Sequence, residues 1–204
     1  FVLRGLATLE PGYFAAVMAT GIVSIAARLL GLVPIADVLL VVTAVVFVIL
    51  AFAYIGRAVL FPQRFALSLR MPSSAVSYFT VVAGINVLAT ALLAPGFWIV
   101  SLVLGVVALI IWAVLSYGLF CSVVLAGNHP LLREINGGWL VWIVGTQSVA
   151  VLATAIAPKV PWQALGEMFA VGAILFWSVG VVLYFVFIVI IFLRLFLIET
   201  TPAE

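Results

Sequence analysis

Residues 88–98 read LATALLAPGFW. The segment is apolar and helix-compatible up to Leu93, and Ala94-Pro95-Gly96 then stops it, because proline cannot extend a helix and glycine turns freely. Phe97 and Trp98 open a second apolar run. Two long apolar runs joined by so short a turn make a helical hairpin. The wording returns at 152–162, LATAIAPKVPW, where Leu, Ala, Thr, Ala and the final Trp coincide at an offset of 64; Ala27 and Leu29 meet Ala91 and Leu93 at the same offset. The unit is therefore a two-helix hairpin present three times, at about 11–60, 73–126 and 138–198, within a single transmembrane domain over 1–204. Chance likeness between apolar helices is the competing explanation.

The whole composition agrees with this reading. Of 204 residues 68% are hydrophobic and 7% charged, where soluble globular domains carry about 25% charged residues. That excludes a soluble enzyme and a disordered tail, and makes the lipid bilayer the partner. The pI of 9.0 rests on eight Lys and Arg against six Asp and Glu. These are too sparse for a nucleic-acid surface. One cysteine, Cys121, and one histidine, His129, leave no disulfide pair and no ligand set for zinc, haem or an iron–sulfur cluster. No metal and no cofactor is expected. The chain opens on Phe1 rather than Met, and so reads as a fragment at that end.

A bilayer core about 30 Å thick takes roughly 20 apolar residues of helix. Runs of that size lie at about 11–30, 35–60, 73–94, 97–126, 138–157 and 162–198. A polar stretch, Pro62 to Pro72, separates the second from the third, and a Gly-Asn-His-Pro loop holding His129 separates the fourth from the fifth. The fold class is all-α integral membrane, with six transmembrane helices as three hairpins. With six spans, Arg4, Arg57, Arg64, Arg70, Arg133 and Arg194 fall on one side, and Arg28 and Lys159 on the other. Positive charge is retained on the cytoplasmic side. Both ends are accordingly expected in the cytoplasm, with the chain multi-pass in a plasma (inner) membrane.

Polar side chains favour protein or water over acyl chains, so their distribution indicates which helices face inward. The odd spans hold twelve Ser, Thr, Asn and Gln, and the longer even spans hold six. Odd helices are expected inside and even helices outside. Residues three or four apart share a helix face. Thr20, Gly21 and Ser24 mark one stripe, Ser77, Thr80 and Gly84 a second, with Asn86 on another face of the same helix, and Gly145, Thr146, Gln147 and Ser148 a third region. These residues read either as the lining of a water-accessible path or as close helix packing, which uses the same small residues. Phe14 and Phe79 are candidates for aromatics that narrow such a path, the other reading being ordinary packing. No Asp or Glu lies at mid-depth, as a proton relay or carboxylate cation site would require. A neutral path suits an anion, since positive mouths raise its local concentration and dipoles bind it weakly enough to release. Arg28 and Arg70 are the candidate mouth charges, with ordinary topology signals as their plain reading.

The segments PGYFAAVMATGIVSIA (11–26), SYFTVVAGINVLA (77–89) and NGGWLVWIVGTQSVAVL (136–152) resemble the tellurite-resistance/dicarboxylate transporter family, which includes plant slow anion channels and fungal malate and sulfite permeases. The resemblance implies a ring of ten helices in five hairpins, odd helices inner and even helices outer, and a homotrimer of such protomers. It also implies a small-anion substrate: a dicarboxylate, sulfite, a chloride- or nitrate-like ion, or a tellurite-linked species. Three hairpins would be part of that ring, and the family's pore phenylalanine on the ninth helix has no counterpart here. The odd spans carry proline only near their ends, at Pro11, Pro72 and Pro95, where family pore helices are often kinked midway.

Two rival functions belong to other classes. A membrane-embedded enzyme of the serine protease kind needs a histidine base, and the one histidine sits in a loop. A structural membrane subunit without transport is the other. The expectation is transport without covalent chemistry.

Overall fold

The computed structural model describes residues 9–125 and 135–197. His129, and with it Arg4, Arg133, Glu134, Glu199 and Glu204, lies outside the described residues. The chain builds α1 (Phe14–Leu29), α2 (Val33–Leu60), α3 (Pro62–Arg70), α4 (Pro72–Ser77), α5 (Phe79–Leu92), α6 (Trp98–Leu125), α7 (Leu140–Ile156) and α8 (Gln163–Leu197). Short 3-10 turns precede α1 (Pro11–Tyr13) and α7 (Gly137–Trp139), and another follows α7 (Ala157–Lys159). Six of the segments are long and apolar enough to cross a membrane. Helices are the natural solution there, because each satisfies its own backbone groups where water is absent.

Three hairpins result, α1 on α2, α5 on α6 and α7 on α8. The first two turns use Gly31 (φ 77°) and Gly96 (φ 91°), backbone values that side chains oppose. In both, a serine hydroxyl ties the two arms beside the turn. Ser24 Oγ donates to the Ala36 carbonyl at 2.8 Å and Ser101 Oγ to the Ala89 carbonyl at 2.7 Å. The third turn, Ala157 to Pro161, relies on two prolines instead.

The hairpins pack side by side through their odd arms, α1 against α5 and α5 against α7. Burial follows this order: 72% of the third span's apolar window is buried, against 11%, 17% and 11% for the second, fourth and sixth. The joints between hairpins repeat. Phe14 packs over Gly84, where a Cβ would stand 3.4 Å from its ring, and Phe79 packs over Gly145, where a Cβ would stand 2.9 Å away. Lipid offers no hydrophobic drive between helices, so close approach of this kind is what holds them together.

A second repeated device closes the other end of the hairpins. Arg57, near the end of α2, donates Nη1 to the Leu9 carbonyl at 2.5 Å; Arg194, near the end of α8, donates Nη1 to the Ile135 carbonyl at 2.6 Å. Each acceptor lies two residues before the 3-10 turn that opens an inner helix. Both arginines are buried, and their task in the fold is to anchor the start of the inner arm. Sequence reading takes them only as topology signals.

Two expectations need correction at the level of elements. The stretch Pro62 to Pro72, read as a polar connection, contains the helix α3: Phe65 and Leu69 join the core while Gln63, Arg64 and Leu67 stay exposed. The third span is not one helix from 73 to 94 but α4 and α5, divided at Tyr78 by a single residue of turn.

Candidate functional site

A groove of about 530 Å³ runs along the inner row, between α1, α5 and α7. From α1 it takes Met18, Ile22 and Ile25; from α5, Asn86, Val87 and Thr90; from α7, Val144, Gln147, Ser148 and Val151. The periodicity explains the set: 83, 86, 87 and 90 form one face of α5, and 144, 147, 148 and 151 one face of α7. A smaller cavity of about 170 Å³ continues it toward the hairpin turns, sharing Ile25, Leu29 and Thr90 and adding Ser24 and Arg28. Arg28 thus stands at one end of the groove, paired with Asp37 at the start of α2.

The groove is apolar apart from a belt of side-chain dipoles, and their hydrogen bonds are largely assigned. Asn86 Nδ2 donates to Ser148 Oγ at 2.9 Å, and Ser148 Oγ donates to the Gly145 carbonyl at 2.6 Å. Since the single serine proton goes to Gly145, Ser148 must accept from the amide, which fixes the orientation of Asn86. Its Oδ1 is left buried without a partner, a state that costs about 1–3 kcal/mol. Gln147 Nε2 reaches the Trp177 carbonyl on α8 at 3.2 Å, and Thr90 Oγ1 donates to the Asn86 carbonyl at 2.8 Å. Each amide keeps a second N–H. No carboxylate lines the groove.

Of the residues singled out from the sequence, Asn86, Gln147 and Ser148 line this groove, and Ser24 and Arg28 border its smaller extension. The others sit in seams between helices. Thr20 Oγ1 donates to the Ala16 carbonyl at 2.8 Å and lies 3.1 Å from the Thr43 hydroxyl of α2. At Gly21 a Cβ would stand 2.6 Å from Val87 Cγ1. Thr80 Oγ1 donates to the carbonyls of Pro11 and Ser77 at 2.9 and 2.7 Å, and Ser77 closes α4 beside it. Gly84 and Gly145 accept the rings of Phe14 and Phe79. Thr146 is fully buried, donating to the Trp142 carbonyl and accepting from Trp112 Nε1, both at 2.9 Å. Phe14 packs on Tyr54, with ring centroids 5.2 Å apart, and Phe79 stacks on Trp142 at 5.5 Å; both rings are buried in the joints rather than standing in the groove. Arg70 is the last residue of α3, and its side chain lies outside the described residues.

Thr90, which shares the face of Asn86 four residues on, lines the groove with it. The stripe reading misses the apolar character of α1 in the groove, since α1 turns its hydroxyls to α2 and shows Met18, Ile22 and Ile25 instead. Among the described residues no group of three or more His, Cys, Asp or Glu is placed to hold a metal ion.

The groove thus presents neutral side-chain dipoles among apolar walls, with a cation near one end and no carboxylate in its lining. Residues 8–204 match the family described as SLAC1, voltage-dependent anion channel. No curated protein and no solved structure matches the chain.

Proposed function

The chain belongs to the voltage-dependent anion channel (SLAC1) family, and from that premise we propose that the inner-row groove is its ion path, carrying small anions passively or down a gradient. The observation that carries this reading is the belt of Asn86, Thr90, Gln147 and Ser148 facing one apolar groove with no carboxylate in it. Neutral dipoles without a counter-charge let an anion partly dehydrate and still leave. Arg28 draws anions toward the turn end, its charge reduced by Asp37. Arg70, at the opposite end of the inner row, serves the other mouth.

We place the three hairpins in a ten-helix ring of five, assembled as a trimer, in a plasma membrane with the arginine-rich side cytoplasmic. The edge of α1 that bears Ala16, Ala19 and Val23 is exposed, which supports further hairpins joining the row there. The repeated ring-on-glycine joint supports the same reading, since Gly84 and Gly145 sit five residues after Phe79 and Leu140, and Ala19 sits five after Phe14.

The test is flux in liposomes of the protein as it occurs in the cell. Chloride, nitrate, sulfite or a dicarboxylate should pass, and cation selectivity would exclude the proposal. Single cysteines separate path from packing. Those replacing Gln147, Thr90 and Ser148 should react with aqueous thiol reagents much faster than those replacing Thr20, Thr146 or the lipid-exposed Val45 and Ile110.

A further inference from the structure

A second groove, of about 500 Å³, lies on the outer side of the molecule, between α2 and α6 with α5 as its floor. Its walls are apolar: Ala51, Ile55 and Ala58 on α2, Ile110 and Val114 on α6, Val81 and Ile85 beneath. Along α2 it extends from Phe47 to Ala58, roughly 16 Å at the helical rise. That is about half of a bilayer core roughly 30 Å thick. The groove is as long as one leaflet is deep.

Its two ends differ. Toward Phe47, Ile85 and Val107 it stays apolar, whereas toward Ala58 it meets Phe65, Leu69 and Tyr78, and polar groups gather there. The Tyr54 hydroxyl donates to the Glu10 carbonyl, and the Tyr78 and Ser68 hydroxyls lie 2.8 Å apart. Arg57 Nη1 reaches toward the Tyr78 oxygen at 3.4 Å. Beside them is α3, whose Arg64 guanidinium lies 6.0 Å from the Phe61 ring centroid. Neither Arg57 nor Arg64 forms an ion pair with a carboxylate among the described residues, and Arg57 Nε is buried without an acceptor. Glu10 contributes only its backbone carbonyl here, and its side chain is exposed.

We propose that this groove holds an anionic phospholipid of the adjoining leaflet. One acyl chain lies between α2 and α6, and the headgroup phosphate sits at the level of Arg64 and the Arg57–Tyr54–Tyr78 cluster. The apolar length accounts for the chain. Two cations without carboxylate partners at one end account for the sign of the headgroup, since basic residues at the membrane surface favour anionic lipid. A second copy of this chain would cover the apolar walls but leave the arginines without a counter-charge. The site is separate from the inner groove, and anion flux is not its readout.

The experiment is native mass spectrometry of the full protein released from nanodiscs of equimolar phosphatidylglycerol and phosphatidylcholine. Phosphatidylglycerol should be retained about fivefold over phosphatidylcholine, the preference expected from one added ionic contact. Ala51→Trp, which fills the groove from the α2 wall, should abolish retention of both lipids. Arg64→Gln, an exposed change that leaves the fold intact, should bring the two lipids to near parity; Arg57→Gln should do the same wherever it folds. Equal retention by the unmodified protein, no retained lipid, or retention unchanged by Ala51→Trp would each overturn the proposal. So would efficient disulfide crosslinking of two copies through a cysteine at Ile110 in the membrane, because protein would then occupy the groove.

Discussion

The α1–α2 seam and the α5–α7 face of the inner groove are made of the same residue types and do different things. In the seam, Thr20, Gly21 and Ser24 turn to neighbouring helices: the two threonine hydroxyls meet, the glycine admits Thr43 of α2 and Val87 of α5, and the serine holds the Ala36 carbonyl. Across the groove, Asn86 and Ser148 bond to each other and still border open space, with Thr90 and Gln147 beside them. Polar or small character in a membrane helix is therefore not evidence of a path. What distinguishes the two regions is that the second, besides its bonds between helices, borders the groove.

A charge is the sharpest way to separate them. Gln147→Glu puts a carboxylate on the groove face, and like charges about 4 Å apart interact by several kcal/mol at intermediate dielectric. Allowing for screening, anion flux should fall about tenfold or more in the liposome assay. Flux that survives this change would remove α7 from the path. Next in size is Gly21→Leu, since its Cβ alone would stand 2.6 Å from Val87 Cγ1. Overpacking of this kind costs about 1–3 kcal/mol, so the midpoint of thermal unfolding in detergent should drop. Flux per folded molecule should fall as well, because the displaced Val87 lines the groove. An unchanged unfolding midpoint in Gly21→Leu would show that the contact is not close packing.

The spans were legible because length and apolarity identify a membrane helix without tertiary information. The order of burial was legible too, since the polar residues concentrate in the odd spans. Pro34 is the second residue of α2, a position where its missing N–H has no helical partner to lose. Helix α3 was invisible to a search for long apolar runs, because in PQRFALSLR the apolar residues packed against the core are only Phe65 and Leu69, both partly buried. Least legible was the rotation of each inner helix about its axis. It is set by joints between residues more than sixty positions apart, Phe14 with Gly84 and Phe79 with Gly145. No local pattern encodes those pairings, so the stripe on α1 could not be assigned to seam or path from its spacing. The same uncertainty covered Phe14 and Phe79, whose rings form the joints themselves.

The smallest effects make the most direct test, because they come from one chemical change made on both sides of the comparison. Thr→Val keeps the shape and removes the hydroxyl. In the seam, Thr20→Val breaks the contact with Thr43; hydrogen bonds between membrane helices are worth about 0.6 kcal/mol on average, so a small fall in unfolding midpoint should come with unchanged flux. In the groove, Thr90→Val removes a hydroxyl bonded only within its own helix. Stability should scarcely move, while the loss of one weak dipole from the belt should change flux by about twofold. The two variants should thus exchange readouts: stability without flux for Thr20, flux without stability for Thr90. If both alter flux equally, α1 presents its hydroxyls to the ion after all, and the seam is part of the path.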